Sequence, residues 1–418
     1  MNNTIIAAAL TLTIAVSCLG GQTADHPPRL EDPKELLKLN KDLLPPNMLG
    51  GKTFRLSPSG NRFTYIRMYP GQTYGCKIHI GQLKPVLTDS SVVWERAIPG
   101  FYCRMTLAGI AWRNDSQRVL FLQEADTNQK ICQRMDPWAM MWDIKNPQLK
   151  LIGHMRLGDR KTTGCTAATY SPDGKTTWTA FSDVKGFTIC GVTEKVQGRA
   201  MSRVVYKSKG RLIHYLTPSP DGKFLAWVET FQRIRANNNP PDVVVVDLKN
   251  KKVVRRITLS KRIPSWLDAK APVWTTDSKA ICYSTVVYVD RLCRRQVLIT
   301  PVTPIKKLAD ETSRPLALDS IAVGAVAEGI ILNRGPACVP ASQMYSSYAP
   351  IGDIRPRSND IIFCSLKPKT QPVTLLKNAF TQHVRKGNVI YYQHNGDDVL
   401  FMQAKLKLPP KPKRPEAK

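Results

Sequence analysis

Arginines and aromatic residues in polar stretches are the side chains of this sequence best suited to hold an anion. Arg233 lies two residues before another arginine, Arg235, and Arg355 has the same spacing from Arg357. A guanidinium group donates two parallel hydrogen bonds to a carboxylate or a phosphate, and aromatic rings offer stacking surfaces. The remaining candidates for this binding role are Arg67, Tyr69, His214, Trp266 and Tyr348. The competing explanation is that long loops simply collect polar residues.

Other chemistries find less support in the residue spacing. The ten cysteines include no Cys-x-x-Cys pair, which is the usual spacing in structural zinc sites. There is also no Gly-x-Ser-x-Gly nucleophile elbow. We therefore assign no catalytic residue, no metal ligand and no cofactor from the sequence, and we leave the pairing of the cysteines open.

The first residues predict export. An apolar run over residues 5 to 16 is too short to span a bilayer comfortably, and small residues follow it. Ala15-Val16-Ser17 forms a small-x-small cleavage site that would leave Cys18 first, as in bacterial lipoprotein signals, whose cysteine carries the lipid. No Lys or Arg precedes the run, so a plain cleavable signal over residues 1 to 17 is the alternative. We expect a periplasmic, membrane-anchored or extracellular protein.

Two markers recur along the body of the chain. The first is a turn, Ser171-Pro172-Asp173-Gly174-Lys175, repeated identically from Ser219 and in weaker form from Ser57, Arg113 and Thr275. Proline presets the first central position of a type I turn, and glycine accepts the left-handed position that follows. The second marker is the end of an apolar strand, as in Asp247-Leu248-Lys249. Both recur about every 50 to 60 residues, which fits a four-stranded propeller blade with its loops.

These turns resemble those of the TolB-type, WD-repeat-like β-propeller family, over residues 53 to 404. The resemblance implies an all-β propeller, and counting two further strand-rich units gives seven four-stranded blades. It also covers peptidases, which carry a hydrolase domain absent here, and metal-dependent oligogalacturonate lyases. The lyase is our alternative function, because that family binds an acidic sugar, which a basic surface suits, and uses metal-binding histidines with a catalytic Arg or His. Of the mature histidines, only His214 lies where a strand would enter the mouth of the channel.

The two ends of the chain carry local signals of their own. Asp32 followed by Pro33 predicts the start of a short helix over residues 33 to 44, within an N-terminal segment of residues 18 to 52. Residues 405 to 418 are rich in Pro and Lys and are expected to be disordered. The last repeat lacks an outer strand, and we expect a segment between Pro46 and Phe54 to complete it.

The formal net charge of +29 favours anionic partners. In a propeller, the Ser-Pro-Asp-Gly turns occupy one face and the longer connections gather on the other. We therefore expect a non-enzymatic binding module whose long connections contact an acidic polysaccharide or a protein of the cell envelope. Nucleic acid is not expected, and membrane contact is expected only through a lipid on Cys18. The charge could instead be a background property of the source.

Overall fold

The computed structural model describes most of the chain in segments. These are residues 27–40, 54–68, 76–82, 92–98, 110–124, 137–145, 148–151, 164–183, 186–194, 200–209, 211–231, 240–259, 271–289, 292–302, 313–335, 339–340, 359–396 and 398–409. Within them the structure is all-β, and no helix is long and apolar enough to cross a membrane.

The strands among the described residues form seven antiparallel sheets, which we number I to VII. Sheet I holds β2 (Phe54–Leu56), β3 (Arg62–Met68), β4 (Cys76–Gln82) and β5 (Val92–Ile98). Sheet II holds β6 (Ala111–Trp112), β7 (Arg118–Glu124), β8 (Pro137–Asp143) and β9 (Gln148–Leu151). Sheet III holds β10 (Gly164–Tyr170), β11 (Thr176–Asp183), β12 (Gly186–Glu194) and β13 (Ala200–Lys209).

The next three sheets repeat this plan. Sheet IV holds β14 (Arg211–Pro218), β15 (Phe224–Phe231), β16 (Asp242–Asp247) and β17 (Lys252–Thr258). Sheet V holds β18 (Val273–Trp274), β19 (Ala280–Val289), β20 (Leu292–Pro301) and β21 (Arg314–Leu318), and the short β24 (Val339–Pro340) also pairs with β20. Sheet VI holds β22 (Ser320–Val326), β23 (Gly329–Arg334), β25 (Asp360–Ser365) and β26 (Val373–Leu376).

Sheet VII joins the two ends of the described chain. It holds β27 (Ala379–Arg385), β28 (Asn388–Asn395) and β29 (Asp398–Lys407), with β1 (Arg29–Asn40) as its outermost strand. The innermost strand of this sheet, β27, contacts β2 of sheet I. Successive sheets built from the inside outward, with the last beside the first, give the arrangement of a β-propeller.

The core lies between neighbouring sheets. The residues Val243 to Val246 of β16 are all buried, so this strand packs on both of its faces. Trp227 of β15 is fully buried against sheet III, and Ala226 and Val228 of the same strand pack towards sheet V. Alternation of side chains along a strand sends neighbouring residues to opposite faces. Each inner strand therefore joins two adjacent sheets.

The expectation of a helix near the N-terminus is wrong. Residues 33 to 40 are strand and not helix, because β1 pairs along β29, with Arg29 opposite Lys407 and Asn40 opposite Asp398. This pairing supplies hydrogen bonds that the exposed edge of β29 would otherwise lack, and it outweighs the local capping signal. Residues 41 to 44 lie outside the described residues.

The C-terminal tail, and the segment expected to complete the last sheet, also differ from expectation. Strand β29 runs to Lys407 with Leu406 buried, so residues 405 to 407 are ordered, while 410 to 418 lie outside the described residues. An N-terminal segment does complete the last sheet, but it is β1. Of the expected segment from Pro46 onward, only Phe54 is described, and it begins β2 of sheet I.

Candidate binding face

The two faces of the ring differ in how the strands are joined. The connections between first and second strands, and between third and fourth strands, lie on one side, which we call the turn face. Connections between second and third strands, and from one sheet to the next, lie on the opposite side, the loop face. The loop face receives the long connections over residues 69–75, 125–136, 232–241 and 335–359.

Most of the predicted binding residues belong to these long connections. Arg67 lies in β3, where its backbone pairs with Lys77, one residue before the strand ends towards the loop face. Apart from His214, the other predicted residues lie outside the described residues, in the connections that follow β3, β15, β17 and β24 and in the N-terminal segment. They are Tyr69, Arg233, Arg235, Trp266, Tyr348, Arg355, Arg357 and the lipidation candidate Cys18.

The sequence predicts His214 where a strand enters the mouth of the channel, and the structure places it in the innermost strand of sheet IV. It lies in β14 and is buried, with its Nε2 atom 3.1 Å from Thr230 Oγ1. Burial lowers the pKa of His214 to about 4, because an imidazolium would lose its hydration there. The ring is therefore neutral near pH 7 and lies within the packing of sheet IV.

A charged cluster that the sequence did not reveal lies at the loop-face end of sheet IV. Glu229 and Asp242 are both buried and lie opposite each other on β15 and β16. Arg256 Nη1 donates to both carboxylates at 2.8 Å, and Arg211 forms an ion pair with Asp242 and lies 3.7 Å from Glu229. Buried charges are tolerated when they are paired in this way.

The cluster also connects sheets III and IV. Tyr206 of β13 accepts a hydrogen bond of 2.9 Å from Arg256, and Trp227 donates to Glu229 at 3.2 Å. Burial, together with the nearby Glu229 carboxylate, raises the pKa of Tyr206 to about 12. The two rings pack with centroids 4.7 Å apart. This end of sheet IV is therefore a rigid support for the connections that start from it.

Two further contacts hold the loop-face ends of sheets V to VII. Arg294 of β20 forms an ion pair with Asp319, which links β21 to β22. Asn333 of β23 donates to the carbonyl of Thr381 at 2.9 Å and accepts from its amide at 2.8 Å. Strand β24, within the long connection of sheet VI, pairs with Leu292 of the preceding sheet. This connection is thus fixed on two sheets.

The first-to-second-strand turns of the turn face are short and form hydrogen bonds within themselves. Gly174 and Gly222 adopt φ angles of 70° and 72°, the left-handed conformation expected of them. Asp173 accepts hydrogen bonds from the Ser171 hydroxyl at 2.6 Å and from the Lys175 amide at 3.1 Å. These bonds lower the pKa of Asp173, so its carboxylate is held as a structural part of the turn.

The weaker copies of the turn bond to the preceding sheet. Ser278 occupies the left-handed position with φ 61°, and its hydroxyl accepts the Asp221 amide at 3.1 Å. Trp274 donates to the carbonyl of Thr217 at 2.9 Å. The same pair of contacts joins sheets I and II, where the Ser59 amide donates to the Ser116 hydroxyl and Trp112 donates to the Arg55 carbonyl. Serine in place of glycine thus adds a bond between turns.

Metal ligands do not cluster in the part of the chain that the structure describes. Among those residues, no group of three His, Cys, Asp or Glu side chains is placed to hold an ion. Cys282 and Cys364 are buried free thiols in the core between sheets V and VI. Burial raises the pKa of Cys364 to about 11. These two thiols therefore pack as small apolar groups.

Comparison with known proteins gives likenesses of fold only. No protein-family profile and no curated sequence matches the chain. TolB from Acinetobacter baumannii is 17% identical, with 63% of this chain and 55% of that chain covered and a TM-score of 0.39. This chain therefore spans little more than half of that protein.

Two other solved structures resemble this chain to a similar degree. The β-propeller domain of the Trilobed protease from Pyrococcus furiosus is 14% identical. The alignment covers 74% of this chain and 84% of that domain's chain, with a TM-score of 0.45. An oligogalacturonate lyase in complex with manganese is 11% identical. The alignment covers 85% of this chain and 76% of the lyase chain, with a TM-score of 0.42.

Proposed function

We propose that this chain is an exported β-propeller of seven blades that acts as a non-enzymatic binding scaffold of the cell envelope. Its ligand is an anionic polymer, such as an acidic polysaccharide, or an acidic protein surface. The observation that carries this proposal is the difference between the two faces. The first-to-second-strand turns on one face close with their own hydrogen bonds, whereas both long connections with an arginine pair join second to third strands and therefore end on the other face.

The described supports suit a binding role for the loop face. The connection of residues 232–241 starts and ends beside the buried Glu229 and Asp242 pair, which two arginines neutralise. The connection of residues 335–359 is fixed through β24 to a second sheet. Loops anchored on rigid strands hold their side chains with less loss of entropy on binding. Arg233, Arg235, Arg355 and Arg357 are the residues we expect to contact the ligand.

The test replaces these four arginines together by Ser. Heparin and polygalacturonate serve as probes, with affinity measured by titration calorimetry and folding checked by circular dichroism. We expect the variant to lose at least tenfold in affinity, because each lost guanidinium removes charge-assisted hydrogen bonds. Binding by the unaltered protein should weaken as salt screens the charges.

A matched control removes the same charge from the turn face. Lys145, Lys175, Lys249 and Lys279 are exposed lysines of four different turns. Their joint replacement by Ser should change probe affinity much less than the arginine variant does. Equal losses in the two variants would mean that net charge alone attracts the probes, and the proposed face would be wrong. Release of unsaturated, ultraviolet-absorbing products from polygalacturonate would instead favour the lyase alternative.

A further inference from the structure

A cavity lies between the outer parts of sheets V and VI, at their turn-face ends. Its volume is about 530 Å³, which is in the range of pockets that hold small organic molecules. One wall comes from the start of β21, and the other comes from the end of β25 and the connection that follows it. The cavity is therefore separate from the long connections of the loop face.

Arg314 brings an unneutralised positive charge to this cavity. Its guanidinium group donates to the carbonyls of Leu366 at 2.9 Å and Lys367 at 3.4 Å, and it forms no ion pair within the described residues. The residue is partly buried. Main-chain carbonyls hold the guanidinium group in place but do not supply a negative charge, and an anion is attracted more strongly where water is partly excluded.

The carbonyl contacts by themselves have a structural explanation. Arg203 of β13 and Arg255 of β17 also donate from an outermost strand to a carbonyl at the end of the third strand of the next sheet. The acceptors are Leu248 and Pro301. Arg314 differs from Arg255 because it also lines the cavity, so Arg255 is its matched control.

Further donors surround the same cavity. The Ser365 hydroxyl accepts the amide of Lys367 at 3.1 Å, so its proton can be donated to a ligand. Lys369 is exposed at the rim without an ion pair within the described residues, and Thr370 adds a second hydroxyl. No Asp or Glu is among the described lining residues, since Glu328 belongs to the turn between β22 and β23. Two cations therefore face the cavity without a lining carboxylate.

Proline rings give the cavity a firm apolar side. Pro315 follows Arg314 in β21, and Pro368 and Pro372 lie in the connection from β25 to β26. Leu316 extends this apolar surface. Because a proline ring fixes the φ angle of its residue, the rim loses little freedom when a ligand binds.

We propose that this cavity binds a small organic phosphate, a phosphate monoester with an apolar body. A monoester carries about 1.5 to 2 negative charges at neutral pH, which matches the two cations better than the single charge of a carboxylate. Its terminal oxygens can accept hydrogen bonds from Arg314, Lys369 and the Ser365 hydroxyl. The apolar body packs against the prolines. This site goes beyond the proposed function and does not depend on it.

Phenyl phosphate is the probe, and titration calorimetry on the full mature chain measures its binding. We expect saturable binding that is at least about tenfold weaker in Arg314→Gln, because charge-assisted hydrogen bonds are lost. Arg255→Gln removes the equivalent bond between sheets IV and V and should change the affinity by less than about twofold. Equal losses in the two variants, or absence of saturable binding, would overturn the proposal.

A second pair of variants keeps the test valid if an arginine variant fails to fold. Lys369 and Lys367 are exposed lysines of the same connection, but only Lys369 lines the cavity. Lys369→Gln should weaken phenyl phosphate binding severalfold, whereas Lys367→Gln should leave it nearly unchanged. Circular dichroism checks the folding of every variant, and equal affinities of these two variants would contradict the assigned site.

Two simpler probes separate the charge from the apolar body. Benzyl alcohol keeps the ring without the anion, and inorganic phosphate keeps the anion without the ring. We expect both to bind at least about fivefold more weakly than phenyl phosphate, because each loses one part of the contact. An affinity for benzyl alcohol equal to that for phenyl phosphate would overturn the anion site, and an equal affinity for inorganic phosphate would overturn the organic ligand.

Cys364 reports where the probe binds. Its thiol lines the cavity, whereas Cys282 is buried in the same core without lining it. Saturating phenyl phosphate should slow the labelling of Cys364 by a small methanethiosulfonate reagent, measured by peptide mass spectrometry, and should leave Cys282 labelling unchanged. If Cys364 reacts at the same rate with and without the probe, or fails to react in the free protein, the proposal is wrong.

The same assay separates this inference from the proposed function. The loop-face arginine variant should bind phenyl phosphate as the unaltered protein does, even if it has lost its polymer ligand. Loss of phenyl phosphate binding in that variant would locate the phosphate on the loop face and contradict the cavity site. A loop face without any ligand would leave the cavity result unaffected.

Discussion

At the scale of single residues, serine in place of glycine at one turn position adds a hydrogen bond to the neighbouring sheet. Gly222 needs only the left-handed conformation, whereas Ser278 adopts that conformation and also accepts the Asp221 amide of the preceding sheet. A serine at positive φ costs some backbone energy. The hydrogen bond between turns offsets that cost.

Ser278→Ala removes this acceptor while keeping a non-glycine residue at the same φ. We expect a loss of about 1 to 2 kcal/mol in the free energy of unfolding, because the Asp221 amide loses its partner. Urea unfolding measures the change. Thr276→Ala, an exposed position of the same turn, should have almost no effect. A comparable loss in both variants would contradict the assignment.

His214 should make stability depend on pH. The imidazole of the unfolded chain binds a proton near pH 6.5, whereas in the folded protein its pKa is about 4. The unfolded state thus holds more protons between these values, so stability is fully present above about pH 6.5 and falls as the pH falls towards 4. The contribution lost by pH 4.5 is about 2 to 3 kcal/mol.

His214→Gln keeps a polar partner for Thr230 but does not titrate. The difference in urea midpoint between pH 7.5 and pH 4.5 should therefore be smaller in this variant than in the unaltered protein. Identical pH dependence of the two proteins would show that burial of His214 does not contribute to it.

At the scale of elements, paired charges hold together the loop-face ends of the strands of sheet IV. Removing one member of a buried ion pair leaves its partner uncompensated, which costs far more than loss of an exposed pair. Glu229 is buried between two arginines, whereas the pair of Lys38 and Asp398 is exposed to solvent. The two pairs therefore offer a direct comparison.

Glu229→Gln should lower the free energy of unfolding by about 1 to 3 kcal/mol, because Arg256 loses one of its two charge-assisted hydrogen bonds while Asp242 still pairs with both arginines. Asp398→Asn should leave stability close to that of the unaltered protein. Calorimetric or urea unfolding of both variants measures this, and equal stability of the two would contradict a structural role for the cluster.

Strand β1 is the element on which sheet VII depends for its outer edge. Deletion of residues 1 to 40 should expose the edge of β29 and cause loss of stability and aggregation, because unpaired strand edges recruit other chains. Deletion of residues 1 to 28, which leaves β1 intact, is the control and should melt like the unaltered protein. Removal of residues 410 to 418 should also leave the melting temperature unchanged.

At the scale of the whole molecule, the net charge of +29 acts on stability and binding in opposite directions. Mutual repulsion of like charges destabilises the folded state, and salt screens that repulsion. Attraction to an anionic ligand is screened in the same way. The net charge therefore links the stability of the folded protein to its affinity for anionic ligands.

Raising sodium chloride from about 20 to about 300 mM should increase the melting temperature while it weakens binding to heparin or polygalacturonate. Differential scanning calorimetry measures the first effect, and titration calorimetry measures the second. A melting temperature that falls with salt would mean that favourable ion pairs outweigh the repulsion.

The sequence by itself determined the local structure of the turns and the all-β class. Ser219, Pro220, Asp221 and Gly222 specify their turn through neighbouring atoms, so their conformation follows from residue chemistry. The recurrence of such turns and of apolar strand ends predicted repeated sheets of the propeller type. The positions of the candidate arginines on the loop face are still a prediction.

Only the tertiary structure decided the features that join distant parts of the chain. Residues 33 to 40 carry a local helix signal, yet they form β1 because the edge of β29 needs a partner more than 350 residues away in sequence. Arg211, Glu229, Asp242 and Arg256 meet because four strands in register bring them together, and His214 is buried by the packing of sheet IV. Long-range pairing and burial depend on neighbours in space, which a single sequence does not specify.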